Sequence, residues 1–501
     1  MLRCVLWCAS VAGFLLQVSI AHSQNVISTD MRPLPGSDRH LPEKLPALVH
    51  ATPPTLIAPD MAGSGLHLTV LMVGDTGYAP SRAAPLPSGV YKYGQWQTFK
   101  QTTHHIKSEI NGDINFANIE SVISASSKLR PVRKKYNFVT HPQGIEHLVD
   151  IGFNLFSLAN NHAFDYGQKG IRDTLLHAEK LKKNGLFGHA GIGLNRQQAG
   201  DIALFETSAM RVAFGAIGIG TGKGGMQRAT PKRPGQLSLY RPADIKLLSS
   251  NLRNSDADIR LLSIHRGRER QIRPGAHEIQ SVRNLVQKSQ ADVMIGHHAH
   301  VARGLEINNG SLIVYGLGNF LHQGTANMNG KGGCRDYSLI VKAHFTSRVT
   351  SRGKNKPKLA AIEALPIYAT HMQTRRLPAK QAAKRIAILN GLARQFDNST
   401  IGSRGVRFMS QSDGSGLYCT PASQLHPATK NLCSNFKMSH IASDKRYSRA
   451  LASCGRIAPK LMIAKATKIE PVKFVLRKSI IKPVETVRVA QTQNTKLELL
   501  E

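Results

Sequence analysis

The chain has 501 residues, of which 41% are hydrophobic, so it is long enough for two or three domains around well-buried cores. Lys and Arg number 66 and Asp and Glu 31, which gives a net charge of +35 with neutral histidines. Because a field of that sign attracts anions, the composition predicts a nucleic acid, an anionic envelope polymer or a phosphorylated substrate as partner. A solvated basic surface or tail is the alternative.

Residues 1–23 have the layout of a secretory signal peptide. Arg3 precedes an apolar run over residues 5–20, and Ala21-His22-Ser23 then offers small residues before a cleavage site. The apolar run is slightly long, so an uncleaved membrane anchor is the alternative. We therefore expect an exported protein, periplasmic or extracellular. Export, and the absence of a basic stripe interleaved with aromatic residues, argue against a nucleic-acid binder.

Residues 24–60 are rich in Pro, Ser and Ala and predict a linker. From residue 61 to about 405, short β-branched runs alternate with amphipathic segments, which indicates βαβ units and a largely parallel sheet. The predicted strands are 66–73, 114–118, 153–158, 211–217, 259–264 and 293–295. A hairpin is predicted for 304–307 and 311–315 around Asn308-Asn309-Gly310, with further antiparallel strands at 337–345 and 359–366. Helices are predicted around Ile171 and Ile279 and over 379–396.

Beyond residue 405 the periodicity decays. We expect residues 406–460 to form a cysteine-containing extension and residues 461–501 to form a flexible basic tail. Outside the signal segment the cysteines are Cys334, Cys419, Cys433 and Cys454. In an oxidising compartment they would form two disulfides in one of three pairings. A zinc site is the competing interpretation, but the chain has no Cys-x-x-Cys pair.

Potential metal ligands follow the predicted strands. In chain order they are Asp75, Asn118, Glu120, Asn161, His162, Asp165, His265, Glu269, His298 and His300. Because the carboxyl ends of parallel strands meet at one edge, these side chains would converge. A lone histidine at a strand end is usually an ordinary polar residue, but the whole series in order is hard to explain as chance. Imidazole and carboxylate groups suit zinc, manganese or iron, so the sequence predicts a site for two divalent metal ions.

The same segments resemble the CapA (poly-γ-glutamate capsule synthesis) family, which is similar in turn to calcineurin-like metallophosphoesterases. They are Val73-Gly74-Asp75, Ala117-Asn118-Ile119-Glu120, Asn160-Asn161-His162 with Asp165-Tyr166-Gly167, Ser263-Ile264-His265, Gly296-His297-His298-Ala299-His300 and Gly316-Leu317-Gly318-Asn319-Phe320. The resemblance covers about residues 66–400. It implies an α/β fold of four layers, a metallophosphoesterase-like α/β/β/α sandwich. The basic, partly disordered C-terminal extension expected from the sequence lies outside the resemblance.

The resemblance also implies roles for individual residues. Asp75 and His300 would serve one metal, Asn161, His265 and His298 the other, and Glu120 would bridge them. His162 would donate a proton to the leaving group. Asn118, Asp165, Glu269 and Asn319 would surround and orient these groups. The chain departs from the wider phosphoesterases at Gly77, where they carry a histidine, and from the family at Arg266, where a Trp is common.

Arginines follow His265 closely. Arg266, Arg268 and Arg270, with Arg273, leave the same predicted sheet edge as the metal ligands. A second basic loop carries Lys223, Arg228, Lys232 and Arg233. Guanidinium groups match carboxylate and phosphate geometry, so the first loop is predicted to bind an anionic substrate. A solvated rim is the alternative.

The leading hypothesis is an exported hydrolase that uses two divalent metal ions on a phosphoester, or on an amide in an anionic envelope polymer. The alternative is a non-catalytic accessory protein of capsule or poly-γ-glutamate biosynthesis or export. It would bind the polyanion without cleaving it, as part of a membrane-associated capsule assembly complex. Gly77 and the basic tail favour this second hypothesis.

Overall fold

The computed structural model describes residues 65–454 apart from residues 93, 222–225, 330, 351–352, 442–443 and 453. The predicted signal peptide, the linker over 24–60, the basic tail over 461–501 and Lys223 lie outside the described residues. Within the described ranges, every helix is too short or too polar to cross a membrane.

Strands and helices alternate along most of the chain. The strands are β1 Gly65–Gly77, β2 Gly89–Lys92, β3 Gln95–Thr98, β4 Ile114–Ile119, β5 Val122–Ile123, β6 Val139–Thr140, β7 Leu155–Ser157, β8 Gly188–Ala190, β9 Ile192–Gly193, β10 Ala203–Glu206, β11 Arg211–Ile217, β12 Gly235–Gln236, β13 Ile259–His265, β14 Val293–His297, β15 Leu305–Asn308, β16 Ser311–Val314, β17 Asn319–His322, β18 Ser338–Thr350, β19 Gly353–Lys354, β20 Lys358–Tyr368, β21 Arg375–Arg376, β22 Ser403–Gly405, β23 Met409–Ser410 and β24 Gly416–Cys419. The α-helices are α1 Phe99–Thr103, α2 Pro142–Asp150, α3 Gly167–Leu181, α4 Arg196–Ala199, α5 Pro242–Arg253, α6 Ala276–Ser289, α7 Ala379–Ala393, α8 Pro427–Leu432 and α9 Asp444–Ala452.

Two large sheets organise these strands. The first has the order β23-β24-β20-β18-β1-β4-β7-β8, with β17, β19 and β21 beside β1, β18 and β20. Its β1, β4, β7 and β8 run parallel, whereas β18 pairs antiparallel with both of its neighbours, β1 and β20. The second sheet has the order β10-β11-β13-β14-β16-β15-β22, with β11, β13, β14 and β16 parallel. Each sheet therefore has a set of parallel strands whose carboxyl ends meet at one edge.

Side chains of β1 divide between two cores because successive residues of a strand point to opposite faces. Leu68, Val70 and Met72 share a buried cluster with residues of β11, β13 and β14 in the second sheet. Leu71 and Val73 instead share a cluster with residues of α2 and α3. The other face of the second sheet packs on α5 and α6. The layers are thus helix, sheet, sheet and helix, which confirms the predicted α/β/β/α sandwich.

Most predicted elements are present, with changed bounds. The predicted hairpin forms between β15 and β16, where Asn308 pairs with Ser311 and the turn residues Asn309 and Gly310 have φ of 48° and 87°. β18 and β20 extend beyond the predicted ranges to Thr350 and Tyr368. The β2–β3 hairpin, α2 and α5 have no counterpart in the sequence prediction. Strand β22 adds an edge to the second sheet at residues 403–405, and β23 and β24 carry the first sheet past residue 405.

The structure selects one of the three possible cysteine pairings. Cys334 is bonded to Cys454, and Cys419 to Cys433. The first disulfide joins residues 120 apart in sequence, whereas the second joins residues 14 apart. The first therefore ties the segment before β18 to the end of α9, and the second ties β24 to the end of α8.

Candidate metal centre

Both sheets deliver polar side chains to one place. Asp75 lies within β1, Glu120 directly follows β4, and Asn161 follows β7. His265 ends β13, and His298 and His300 follow β14 in the other sheet. Potential ligand atoms form two groups, and within each group the atoms lie within 4.8 Å of one another. One group comprises Glu120, His265 and His298, and the other comprises Asp75, Glu120 and His300. Glu120 belongs to both groups.

Asp75 is fully buried and surrounded by donors. Its Oδ1 accepts a hydrogen bond from Asn118 Nδ2 at 2.9 Å and lies 3.2 Å from His297 Nδ1. Its Oδ2 lies 3.1 Å from His300 Nδ1 and accepts from the backbone N–H of His298 at 3.2 Å. Burial raises the pKa of Asp75, but the His297 and His300 imidazoles outweigh burial and hold the pKa well below its usual value. Asp75 is therefore a carboxylate at neutral pH.

Three potential ligand atoms, from His265, Asn161 and His298, lie close together. His265 Nε2 lies 2.6 Å from Asn161 Oδ1 and 3.1 Å from His298 Nδ1. It also lies 3.5 Å from Glu120 Oε1. Burial, followed by the charge of His298, lowers the pKa of His265 well below its ordinary value, so this imidazole is neutral. A neutral imidazole is the form that binds a metal.

The chain turns sharply between His298 and His300. His298 has φ of 82° and His300 has φ of 55°, a left-handed backbone that non-glycine residues rarely adopt. β14 ends at His297, so His298 and His300 lie in this turn and not on a continuing strand. The turn nevertheless brings His298 towards His265 and His300 towards Asp75.

The surroundings of Glu120 indicate whether these residues fit a pair of cations. The residue is fully buried, and neither carboxylate oxygen accepts a hydrogen bond from the residues that the structure describes. A buried carboxylate without such partners costs free energy unless a positive charge lies beside it. Ligand atoms about 2.0–2.2 Å from one ion lie ~3 Å apart, as several pairs do here. The donor set of carboxylates, imidazoles and one amide therefore fits two divalent transition-metal ions.

Charge at His300 supports the same conclusion. Burial lowers the pKa of His300, but the carboxylates of Glu120 and Asp75 outweigh burial and raise the pKa to about 10. Asn319 Oδ1 lies 2.8 Å from His300 Nδ1, so this side chain helps to fix the ring. The two carboxylates thus create a strongly negative position beside His300, which is where a cation is expected.

His162 lies at the edge of the centre and is held by Asp165. Its Nδ1 is 2.6 Å from Asp165 Oδ2, and its Nε2 is 3.9 Å from Glu120 Oε1. Burial, then the charge of Lys134, lowers the pKa of His162 well below its usual value. Burial raises the pKa of Asp165 to about 7, with Lys134 opposing that rise. The contact with Asp165 orients Nε2 of His162 towards the centre.

The remaining predicted site residues differ in position. Glu269 is exposed, although its negative charge acts on His298 and opposes the lowering of the His298 pKa by burial and by His300. Arg268 and Arg270 are exposed, and Arg266 is half-buried with its NH2 3.5 Å from His277 Nδ1. The three arginines therefore lie on the loop that follows His265, and substrate binding by them stays a prediction.

Three residues at the centre were not predicted. His297, at the end of β14, contacts Asp75, and its two ring nitrogens are buried without a hydrogen bond in the described part of the chain. His322, the last residue of β17, places Nε2 3.3 Å from Glu120 Oε2. Lys134 donates to Asp165 Oδ1 at 2.7 Å and to the Asn161 carbonyl at 2.5 Å. His297 lies within the quoted Gly-His-His motif, so that motif was the available signal.

Comparison with known proteins places this region in a family. A family model described as bacterial capsule synthesis protein PGA_cap matches residues 69–324. The capsule biosynthesis protein CapA of Bacillus anthracis is 26% identical over 326 residues, which are 62% of this chain and 74% of that protein. The PGA biosynthesis protein CapA of Bacillus subtilis (strain 168) is 29% identical over 240 residues, 48% of this chain and 60% of that protein.

A probable polyglutamine synthesis accessory protein of Mycobacterium tuberculosis (strain ATCC 25618 / H37Rv) is 23% identical over 327 residues, 62% of this chain and 78% of that protein. Among solved structures, the calcineurin-like phosphoesterase YfkN from Bacillus subtilis aligns with a TM-score of 0.36 and 13% identity, over 64% of this chain and 96% of that one.

The matched region, residues 69–324, is just over half of the 501 residues and contains each candidate ligand from Asp75 to His300. The chain therefore belongs to the bacterial capsule synthesis protein family.

Proposed function

We propose that this member of the capsule synthesis family is an exported, metal-dependent hydrolase that acts on a phosphoester, or on an amide in an anionic envelope polymer. One observation carries the proposal: ligand atoms from two sheets converge on the buried carboxylate of Glu120, which has no hydrogen-bond donor of its own among the described residues. Structural stability does not require such a carboxylate, since an apolar residue of similar size could fill the space at lower cost.

The side chains divide into two sets around Glu120. Asp75, Glu120 and His300 would hold one cation, and Glu120, Asn161, His265 and His298 the other. When bound, two such cations lower the pKa of a water and stabilise charge on the attacking and leaving oxygens. Asn118 donates a hydrogen bond to Asp75, and Asn319 is hydrogen-bonded to His300, so these two amides would fix the directions of Asp75 and His300.

His162 would supply the proton for the leaving group. The hydrogen bond between Nδ1 and Asp165 keeps the ring oriented, so that Nε2 faces the Glu120 side of the centre. Lys134 neutralises the charge on Asp165 and prevents the carboxylate from holding the His162 proton too strongly. A positioned imidazole of this kind contributes roughly 10²–10⁴-fold to a hydrolytic rate.

The arginine loop would bind the substrate's negative charges. Arg268 and Arg270 expose their side chains within five residues of His265, and the chain as a whole carries a charge of +35. Guanidinium groups bind carboxylates and phosphates in a bidentate manner. An anionic polymer in the cell envelope, such as poly-γ-glutamate, meets this requirement, and so does a phosphoester.

The test begins with the metal content of purified protein. The metal-loaded protein is then screened against phosphomonoesters, phosphodiesters and poly-γ-glutamate, with Mn²⁺, Fe²⁺ or Zn²⁺ in turn. His162→Asn should retain the metals and lose roughly 10²–10⁴-fold in kcat. His147→Asn, a buried histidine on α2 that contacts Thr103, is the matched control and should remain active. A wild-type protein that holds two metals and turns over none of these substrates would refute the hydrolase.

A non-catalytic accessory role is the second candidate. Gly77 stands where the wider phosphoesterases carry a histidine, and the relative from Mycobacterium tuberculosis is named an accessory protein of polyglutamine synthesis. Such a protein would bind the polyanion within a membrane-associated capsule assembly complex. Poly-γ-glutamate binding that survives His162→Asn, together with absent turnover by wild type, would favour this role.

A further inference from the structure

The turn that carries His298 and His300 needs external support. Both residues have left-handed backbone angles, with φ of 82° and 55°, and neither is a glycine. A non-glycine residue keeps such a conformation only when its surroundings hold it there. Asp75 and Asn319 contact the two histidines from the side of the centre. Ala299, between them, is 1% exposed, so the residues that pack around Ala299 also support the turn.

Ala299 packs in a small core that contains a disulfide. This core comprises Ile272, Ala299, Val301, Cys334, Ile388, Leu392 and Cys454. Cys334 and Cys454 are 1% and 6% exposed, and they are bonded to each other. The cluster is separate from the cores between and outside the two sheets. The bonded cysteines therefore belong to the same buried cluster as the middle of the His298–His300 turn.

Hydrogen bonds also connect the loop that carries Cys334 to the His298–His300 turn. The carbonyl of Ala299 accepts from the backbone N–H of Arg270 at 2.8 Å. The carbonyl of Arg270 accepts in turn from Nε of Arg335 at 3.0 Å, and Arg335 directly follows Cys334. On the other side of Arg335, Asp336 receives two hydrogen bonds from Arg385 of α7. The two residues that follow Cys334 are thus both held by hydrogen bonds, and Arg335 is linked to Ala299 through one intermediate residue, Arg270.

The second disulfide provides a natural comparison. Cys419 and Cys433 close a local segment of 14 residues between β24 and α8. Neither cysteine belongs to the core around Ala299. Loss of this bond should therefore leave the histidine turn in place.

We propose that the Cys334–Cys454 disulfide positions the His298–Ala299–His300 turn, so that the metal centre is complete only when this bond has formed. The inference rests on the proposed function, because it assumes that His298 and His300 bind metal. Groups that orient metal ligands from outside typically change metal affinity by about 10–100-fold when they are removed. The two cysteines and Arg335 would act as positioning residues that do not touch substrate.

Cobalt binding to the full-length protein tests the proposal, since the visible spectrum of Co²⁺ reports the geometry of its ligands. The Cys334→Ala/Cys454→Ala variant should bind Co²⁺ at least tenfold more weakly than wild type and with an altered spectrum. Cys419→Ala/Cys433→Ala should bind within twofold of wild type and keep the spectrum. Equal affinities and spectra for all three proteins would overturn the proposal, and so would an equal loss in both double variants.

Two single substitutions keep the test informative if the first double variant does not fold. Arg335→Gln removes the hydrogen bond to Arg270, and Ala299→Gly removes the methyl group that packs in the cluster, while both leave the disulfides intact. Each should weaken Co²⁺ binding severalfold and change the spectrum, whereas Arg172→Gln, an exposed site on α3, should do neither. Wild-type behaviour of both variants would contradict the proposal. A wild-type protein that binds no Co²⁺ would overturn the proposed function and this inference with it.

Discussion

His322 Nε2 lies 3.3 Å from Glu120 Oε2, and His322 is the Cα partner of Gly77 in the parallel pairing of β17 with β1. An imidazole from the neighbouring strand therefore lies in register with Gly77 and beside Glu120. The ring nitrogen Nδ1 of His322 accepts a hydrogen bond from the backbone N–H of Gly324 at 3.2 Å. Because a neutral imidazole that accepts at Nδ1 carries its proton on Nε2, His322 is assigned as a donor towards the centre.

The first prediction concerns this donor. His322→Ala should lower kcat/KM by about 10–100-fold, because a substrate oxygen at the centre loses an oriented N–H group. His322→Gln retains an N–H donor of similar length and should recover part of the activity. Metal content should stay at the wild-type value in both variants, since Nε2 carries a proton and does not bind a cation. A variant that loses metal would instead identify His322 as a ligand.

The second prediction concerns the pH dependence of activity. The positive charge of Lys134 is the second cause, after burial, of the lowered pKa of His162. Lys134→Met removes that charge, so the protonated form of His162 becomes easier to form and its pKa rises. If His162 donates the proton, the alkaline limb of the kcat profile should move to higher pH. Lys135→Met, at the exposed neighbouring residue, should leave the profile unchanged. A shift to lower pH would contradict the role of His162 as donor.

The third prediction concerns metal-dependent stability. A cation at a concentration 100 times its Kd stabilises the folded protein by about 2.7 kcal/mol per site, and chelation should remove that stabilisation. Glu120→Gln should abolish most of the response because the carboxylate belongs to both ligand groups. Glu206→Gln, on the exposed end of β10, should respond to metal as wild type does. Thermal unfolding with Mn²⁺ and with EDTA measures the difference. An unaltered metal response in Glu120→Gln would exclude a bridging role.

The fourth prediction concerns acid stability away from the metal centre. His67 of β1 stacks on His344 and His426, and burial, followed by their charges, lowers its pKa to about 4. The folded pKa is below the unfolded value of 6.5, so the unfolded chain binds the proton more tightly. Stability from this group is therefore present above pH 6.5 and is lost as the pH falls towards 4.

After a discount for partial exposure, we expect a loss of about 1–2 kcal/mol in the free energy of unfolding. Urea unfolding of the chelated protein at pH 7 and pH 5 measures it. His67→Gln should be less sensitive to acid than wild type over that interval. His104→Gln, at an exposed histidine, should keep the wild-type sensitivity. Identical acid sensitivity of His67→Gln and wild type would show that the stack contributes nothing.

Sequence reasoning located the candidate ligands because each one lies next to a strand with a clear apolar pattern. Asp75, Glu120 and His265 are examples, since β1, β4 and β13 are buried almost throughout. Parallel strands then require their carboxyl ends to meet, whatever the details of the loops. The layered fold follows from the same alternation of buried strands and amphipathic helices.

Residues whose position depends on tertiary contacts could not be found in this way. His322 ends a strand of four residues, and its significance comes from the pairing of that strand with β1. Lys134 lies in a segment without regular structure, so no periodicity predicted that it meets Asp165. The left-handed backbone at His298 and His300 was equally invisible, because neither residue type demands it.

Residues 403–419 close an edge of each sheet within a short stretch of chain. β22 pairs with β15 in the second sheet, and β23 and β24 extend the first sheet beyond β20. The candidate ligands come from both sheets, so any sliding of one sheet past the other would pull Asp75 and Glu120 away from His265 and His298. Residues 403–419 are hydrogen-bonded into both sheets and therefore resist such sliding. This segment is remote in sequence from every ligand whose alignment it maintains.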